Sequence, residues 1–127
     1  MARVFLAINA LVWFPYGLLC FIAPGTLERF AGLTASSTTA VIEVRAMYGG
    51  LEMAIGALAA AAALRASLRR PALIALAFLA SGLFTTRALA TLWAAELSEY
   101  TAGALLLEVV LAAVSIRLLA VDTGAGT

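Results

Sequence analysis

The fold of this chain is decided by residues 40–64, AVIEVRAMYGGLEMAIGALAAAAAL. A helix needs about 20 mostly apolar residues to cross the hydrocarbon layer of a membrane, and this stretch is long enough. It nevertheless contains Glu43, Arg45 and Glu52. We therefore expect a membrane-spanning helix with charged side chains, some of them at a depth where a charge is costly.

Three further apolar stretches follow the same pattern, at residues 4–23, 71–93 and 100–120. The first ends at Pro24-Gly25, a strong turn signal, and is longer than the apolar part of a typical signal peptide, so we interpret it as a retained helix. One of the hydroxyls of residues 36–39 is expected to cap the second helix. The sequence predicts an all-α integral membrane bundle of four helices, forming a single domain over residues 1–127 with a short polar tail at 121–127.

Composition supports this class and excludes several functions. The chain has 127 residues, of which 65% are hydrophobic and 12% charged, whereas soluble domains average about a quarter charged. It contains neither histidine nor lysine and has one cysteine. These absences exclude imidazole chemistry, Schiff bases, an intrachain disulfide and thiolate metal clusters, and we predict no metal and no cofactor. The net charge of +1 without a basic patch argues against a nucleic-acid partner.

The distribution of arginine predicts the orientation. One side of a four-pass arrangement carries most of these residues, namely Arg3, Arg65, Arg69, Arg70 and Arg117. The opposite connections carry Glu28, Arg29, Glu96 and Glu99. The positive-inside rule therefore places both termini in the cytoplasm, and we expect a multi-pass protein of the cell inner membrane.

The charged side chains within the predicted spans form the candidate functional site. Spacings of three and four residues put Arg45, Tyr48 and Glu52 on one face of the second helix. At about 1.5 Å rise per residue, we expect Arg87 about two turns below the outer surface on the third helix, and Glu108 at about the depth of Glu52 on the fourth. If every helix turns its polar stripe inward, two arginines and two glutamates neutralise each other. The side chains expected to support this cluster are Asn9, Tyr16, Thr91 and Thr101. The cluster either fixes the helix register or lines a polar pocket for a ligand.

A second feature of residues 40–64 is a surface of small side chains. Gly49, Gly50 and Gly56 precede a run of alanines. Small residues let membrane helices approach closely, so we predict a packing interface here, within the bundle or against another subunit.

Residues 43–52, EVRAMYGGLE, carry a resemblance to a known family. They resemble the second helix of an uncharacterised family of small four-helix bacterial membrane proteins, known only as a domain of unknown function, in which Glu-x-Arg-Ala-x-Tyr-Gly-Gly precedes an acidic residue. The layout is similar to that of DoxX-like proteins, some of which are linked to quinone-dependent oxidation of sulfur compounds. The resemblance supports the fold and singles out Arg45, Tyr48 and Glu52, but it brings no established active site, and architecture alone does not transfer a quinone role.

Three functions remain in competition. The first is a non-enzymatic module, either an accessory subunit or a binder of a lipid-like or quinone-like ligand. The second is a small proton-coupled transporter that uses Glu52 and Glu108. The third is an intramembrane enzyme acting on a lipid or isoprenoid, with the same two carboxylates as acid and base. The expected partners are membrane lipids and a homo-oligomer or a larger membrane complex.

Overall fold

The computed structural model describes residues 1–124, and those residues contain helices and no strand. In chain order, the helical segments are α1 (Ala2–Ile22), α2 (Thr26–Ala31), α3 (Thr38–Val44), a π-helical turn (Arg45–Gly50), α4 (Leu51–Leu64), a 3₁₀ turn (Ala66–Leu68), α5 (Arg69–Ala94) and α6 (Glu99–Gly124).

Four stretches are long and apolar enough to cross a membrane. These first to fourth spans are Ala2–Ile22, Thr38–Leu64, Ala66–Ala94 and Glu99–Val121. Each overlaps one predicted helix, so the predicted all-α fold with four membrane helices is confirmed. The helix α6 continues to Gly124, beyond its predicted end at residue 120. The rest of the predicted tail, residues 125–127, lies outside the described residues.

The chain divides into two compact units. The first comprises Met1–Arg69, and the second begins at Arg70. The first unit therefore holds α1 to α4 with the π-helical turn, and the second holds nearly all of α5 together with α6.

In the first unit, α1 and the second span run antiparallel and touch at three glycines. A Cβ atom on Gly56 would lie 2.5 Å from the backbone nitrogen of Phe14, and one on Gly17 would lie 2.6 Å from that of Met53. A Cβ on Gly49 would lie 2.9 Å from Cβ of Phe21. Because real Cβ atoms do not approach so closely, the backbones meet only where a side chain is missing.

The second span begins at a capped helix end and changes its winding after two turns. Ser37 is the N-cap of α3, and its Oγ accepts a hydrogen bond of 3.1 Å from the amide of Ala40. This confirms that a hydroxyl of residues 36–39 caps the helix. The π-helical turn at Arg45–Gly50 then separates α3 from α4. Such turns hold more residues than an α-helical turn, so α-helical spacing is not kept across them.

The connection between α1 and α3 packs onto the end of α1. Its short helix α2 ends at Gly32, which has φ 67°, a conformation that glycine adopts without strain. Leu27 of α2 joins Cys20 and Val44 in a buried cluster, against which Tyr16 and Tyr48 are partly buried. The predicted polar connection therefore carries an apolar anchor that the sequence pattern did not reveal.

The second unit is a helical hairpin. The helix α5 ends at Ala94, and Ser98 begins α6 by accepting a hydrogen bond of 3.1 Å from the amide of Thr101. Ala95 adopts φ 53° in the tight connection. The hairpin brings residues at equal distances from this connection to the same level of α5 and α6.

Candidate functional site

Each of the two units contains one glutamate that lies in a membrane span and is largely removed from solvent. The two side chains have different surroundings. Glu108 of α6 lies in the second unit and is 4% exposed. Glu52 of α4 lies in the first unit and is half-buried. Their partners decide what each can do.

Glu108 is bound by an arginine of its own unit. Arg87 of α5 donates from Nη2 to Oε1 of Glu108 at 2.7 Å, and from Nε to Oε1 and Oε2 at 3.0 and 3.2 Å. The side chain of Arg87 is 31% exposed and that of Glu108 is 5% exposed. Both carboxylate oxygens therefore accept charge-assisted hydrogen bonds in the fork geometry that arginine favours.

The two threonines expected to support the cluster bind elsewhere. Thr91 Oγ1 donates to the carbonyl of Arg87 in the preceding turn of α5, at 2.8 Å. Thr101 Oγ1 lies 2.9 Å from Ser98 Oγ at the beginning of α6. Thr91 thus contacts the backbone beneath the ion pair, and Thr101 belongs to the helix cap.

Arg45 and Glu52, which an α-helical spacing would put on one face, form no salt bridge. Arg45 instead donates from Nε to the carbonyl oxygen of Phe21 at 3.1 Å, near the carboxyl end of α1. A cation at this end of a helix is favourable because the last carbonyls have no partner in the helix and carry partial negative charge. The π-helical turn begins at Arg45 and ends at Gly50, before Glu52, so α-helical spacing does not hold between these two residues.

Within the described residues, Glu52, unlike Glu108, forms no salt bridge with an arginine. Its Oε2 atom is buried and has no hydrogen-bond partner in the structure. The carboxyl group lies near the thiol of Cys20 in α1, and Tyr16 packs against the apolar cluster to which Cys20 belongs. Glu52 thus lies beside α1, close to the point where Gly17 and Met53 bring the two helices into contact.

The remaining polar side chains of the first span bind within α1. The indole nitrogen of Trp13 donates to Asn9 Oδ1 at 3.2 Å, and Asn9 Nδ2 donates to the carbonyl of Phe5 at 2.9 Å. Asn9 is 2% exposed, so these bonds satisfy a polar group that has left water. Asn9 was expected to support the charge cluster, but the hydrogen bonds described for it remain inside α1.

Of the predicted glycine interface, two members lie where α1 crosses the second span. Gly49 and Gly56 face Phe21 and Phe14, whereas Gly50 is exposed and a Cβ there would come no closer than 3.8 Å to any neighbour. Gly17 supplies the third close approach and was not predicted. A small residue within an otherwise bulky apolar stretch was the available signal.

The structure also contains a buried polar atom in α6 without a partner. Ser115 is fully buried, and its Oγ has no hydrogen-bond partner. Ser115 follows Glu108 by seven residues, and Glu108 follows Thr101 by the same number, so the three polar residues lie along one side of α6. Among the side chains that the structure describes, residues 1–121, no three metal-ligating groups come together.

These features define a class: an all-helical, multi-pass membrane protein in which two glutamates of the spans are removed from solvent, one bound by an arginine and one with an unpartnered oxygen. The chain belongs to the family described as "Domain of unknown function (DUF4345)", which matches residues 1–119. No curated protein and no solved structure matches the chain.

Proposed function

We propose that this protein binds a small lipid-like ligand inside the membrane and that Glu52 belongs to its binding site. The observation that carries the proposal is the buried Oε2 atom of Glu52, which has no partner, while both oxygens of Glu108 are bound by Arg87. An unsatisfied buried acceptor costs about 1–3 kcal/mol. A bound molecule that supplies a donor removes this cost.

The Arg87–Glu108 pair fits a structural role, in which the buried charges fix the register of the helices. An ion pair that joins two membrane helices sets their register, and all the hydrogen bonds described for Glu108 go to Arg87. A proton-coupled transporter or an acid–base enzyme would need Glu108 to exchange protons, and this bidentate contact disfavours that. Glu52 is therefore the residue on which we base the proposed function.

We place the protein in a membrane, and the ligand reaches it from the lipid phase. The arginine distribution favours the inner membrane with both termini in the cytoplasm, as a multi-pass protein. A quinone-like molecule in its reduced form, which carries hydroxyl donors, is one member of the proposed ligand class. Lipids of the surrounding bilayer are the other.

Native mass spectrometry of the protein, extracted gently from its own membrane, tests the proposal. We expect the wild-type protein to retain a small molecule and the Glu52→Leu variant to lose it. Glu43→Gln is the matched control, because Glu43 is an exposed acid of the same span, and it should retain the molecule. A wild-type protein without ligand would contradict the proposal, and a co-purifying larger protein in its place would favour an accessory subunit.

A further inference from the structure

We infer that the polar end of the ligand is an uncharged hydroxyl group, which donates a hydrogen bond to Glu52 Oε2. This inference rests on the proposed function and names the chemistry of the ligand that it requires. It follows from the number of unsatisfied atoms, from the way the protein uses its arginines, and from the space beside Glu52.

Glu52 Oε2 is a single unsatisfied acceptor, which matches a ligand with a single donor. Within residues 1–69, Glu52 Oε2 is the one buried side-chain oxygen without a hydrogen-bond partner. A hydroxyl has one O–H to donate, whereas an ammonium group has three N–H donors. An ammonium at this position would leave donors of its own unsatisfied in an apolar environment, which is costly.

The use of arginine in the two units points the same way. In the second unit a carboxylate of a membrane helix receives a cation, with contacts down to 2.7 Å between Arg87 and Glu108. In the first unit Arg45 lies in the same span as Glu52, yet it donates to the carbonyl of Phe21. Glu52 is therefore placed without a cationic partner, and a neutral donor is the complement that adds no second charge to hydrocarbon.

The surroundings of Glu52 exclude a bulky or anionic head group. A Cβ on Gly17 would lie 3.1 Å from the carbonyl carbon of Glu52, so the backbones of α1 and α4 are in contact at this level and leave no room for a bulky group between them. The neighbouring Cys20 is fully buried in an apolar cluster, and Tyr16 lies against that cluster. A phosphate or carboxylate would bring a negative charge out of water beside an acidic side chain that has no arginine next to it. A single hydroxyl at the end of an apolar molecule meets none of these obstacles.

The test uses the full-length protein in nanodiscs of phosphatidylcholine and three defined probes. Dioleoylglycerol carries one free hydroxyl, its 3-acetyl ester has the same tails without that donor, and oleylamine carries a cation. We expect the wild-type protein to bind dioleoylglycerol about five- to tenfold more tightly than the ester, the preference that one neutral hydrogen bond supplies. Oleylamine should bind more weakly than dioleoylglycerol.

Two variants assign this preference to Glu52. In Glu52→Leu the affinities for dioleoylglycerol and its ester should become equal, whereas Glu43→Gln should keep the wild-type preference. Because the comparison of probes on the wild-type protein is decisive alone, the test does not depend on the folding of a variant.

Each other outcome overturns the inference in a different way. Equal binding of dioleoylglycerol and its ester by the wild-type protein would remove the hydroxyl and leave the proposed function intact. Tighter binding of oleylamine would replace the hydroxyl with a cation. If no probe binds and no molecule is retained from the native membrane, the proposed function fails together with this inference.

Discussion

At the scale of single residues, Arg87 and Glu108 demonstrate how a membrane helix tolerates a carboxylate. Three hydrogen bonds of 2.7–3.2 Å join the two side chains, and the side chain of Glu108 is 5% exposed. Such a pair contributes little net stability compared with apolar residues, because desolvation offsets the attraction. Removing only one partner is a different matter, since it leaves the other charge buried alone.

We predict that Arg87→Met lowers the free energy of unfolding by about 3 kcal/mol, because Glu108 then has no cation. Titration of the protein in mild detergent with sodium dodecyl sulfate measures this change. The double variant Arg87→Met, Glu108→Met should recover most of the loss. Arg117→Met, at an exposed position of α6, is the control and should change stability by less than about 0.5 kcal/mol. A single variant as stable as the wild type would show that the ion pair does not contribute to stability.

Glu52 is the opposite case, a polar residue whose removal should stabilise the ligand-free protein. Its buried Oε2 has no partner. We predict that Glu52→Leu raises the unfolding free energy of delipidated protein by about 1–3 kcal/mol, the cost of an unsatisfied buried acceptor. Glu43→Leu, at an exposed position, supplies the baseline for adding leucine to the same span. A loss of stability in Glu52→Leu beyond this baseline would mean that Glu52 serves the fold and not a ligand.

At the scale of helices, the first unit is held together by backbone contact at missing side chains. Gly17, Gly49 and Gly56 are the three positions where a Cβ atom would lie within 3 Å of the facing segment. Membrane helices associate through such close packing, because lipid chains compete with any merely apolar contact. The order of these contacts, from Gly56 near Phe14 to Gly49 near Phe21, also determines the register of α1 against the second span.

We predict that Gly56→Ala destabilises the protein by about 1–3 kcal/mol, because the new methyl group forces the backbones of α1 and α4 apart. Gly50→Ala is the matched control within the same span, since its Cβ would meet no atom closer than 3.8 Å. The same denaturation experiment measures both variants. Equal stabilities of Gly56→Ala and Gly50→Ala would contradict the close crossing.

The π-helical turn decides which side chains of the second span act together. With α-helical winding throughout, Arg45 and Glu52 would lie on the same face of the helix, about two turns apart. The turn at Arg45–Gly50 breaks this spacing, and Arg45 binds near the carboxyl end of α1. One irregular turn thus separates Arg45 from Glu52 within the same span. Glu52 can therefore bind another partner.

At the scale of the whole molecule, the arginine distribution bears on the direction in which the four spans cross the membrane. We predict that both termini and the connection near residue 67 lie in the cytoplasm, because the arginines concentrate on that side. Single cysteines at Thr34 and Ser67, both exposed, are to be introduced into a Cys20→Ala background. A membrane-impermeant maleimide should label Thr34→Cys in intact cells and Ser67→Cys only after permeabilisation. The reverse pattern would invert the topology.

The sequence by itself determined the four spans and the all-helical class. Length and hydropathy are local properties, and a helix within a membrane satisfies its own backbone hydrogen bonds, so each span could be recognised without its neighbours. Charge balance also grouped Arg87 with Glu108, and both residues lie at nearly equal distances from the connection at residues 95–98. The helix cap at residues 36–39 was predictable for the same local reason.

Only the tertiary structure decided which polar groups are satisfied. The pairing of Arg45 with Phe21, the contact of Gly17 with Met53, and the unpartnered Oε2 of Glu52 all depend on the register of α1 against the second span. That register follows from backbone contacts at three glycines and from a π-helical turn, and neither has a local pattern that sets it apart in an alanine-rich helix. Hydrogen bonding requires two atoms within about 3 Å of each other, and such distances exist only once the helices have packed.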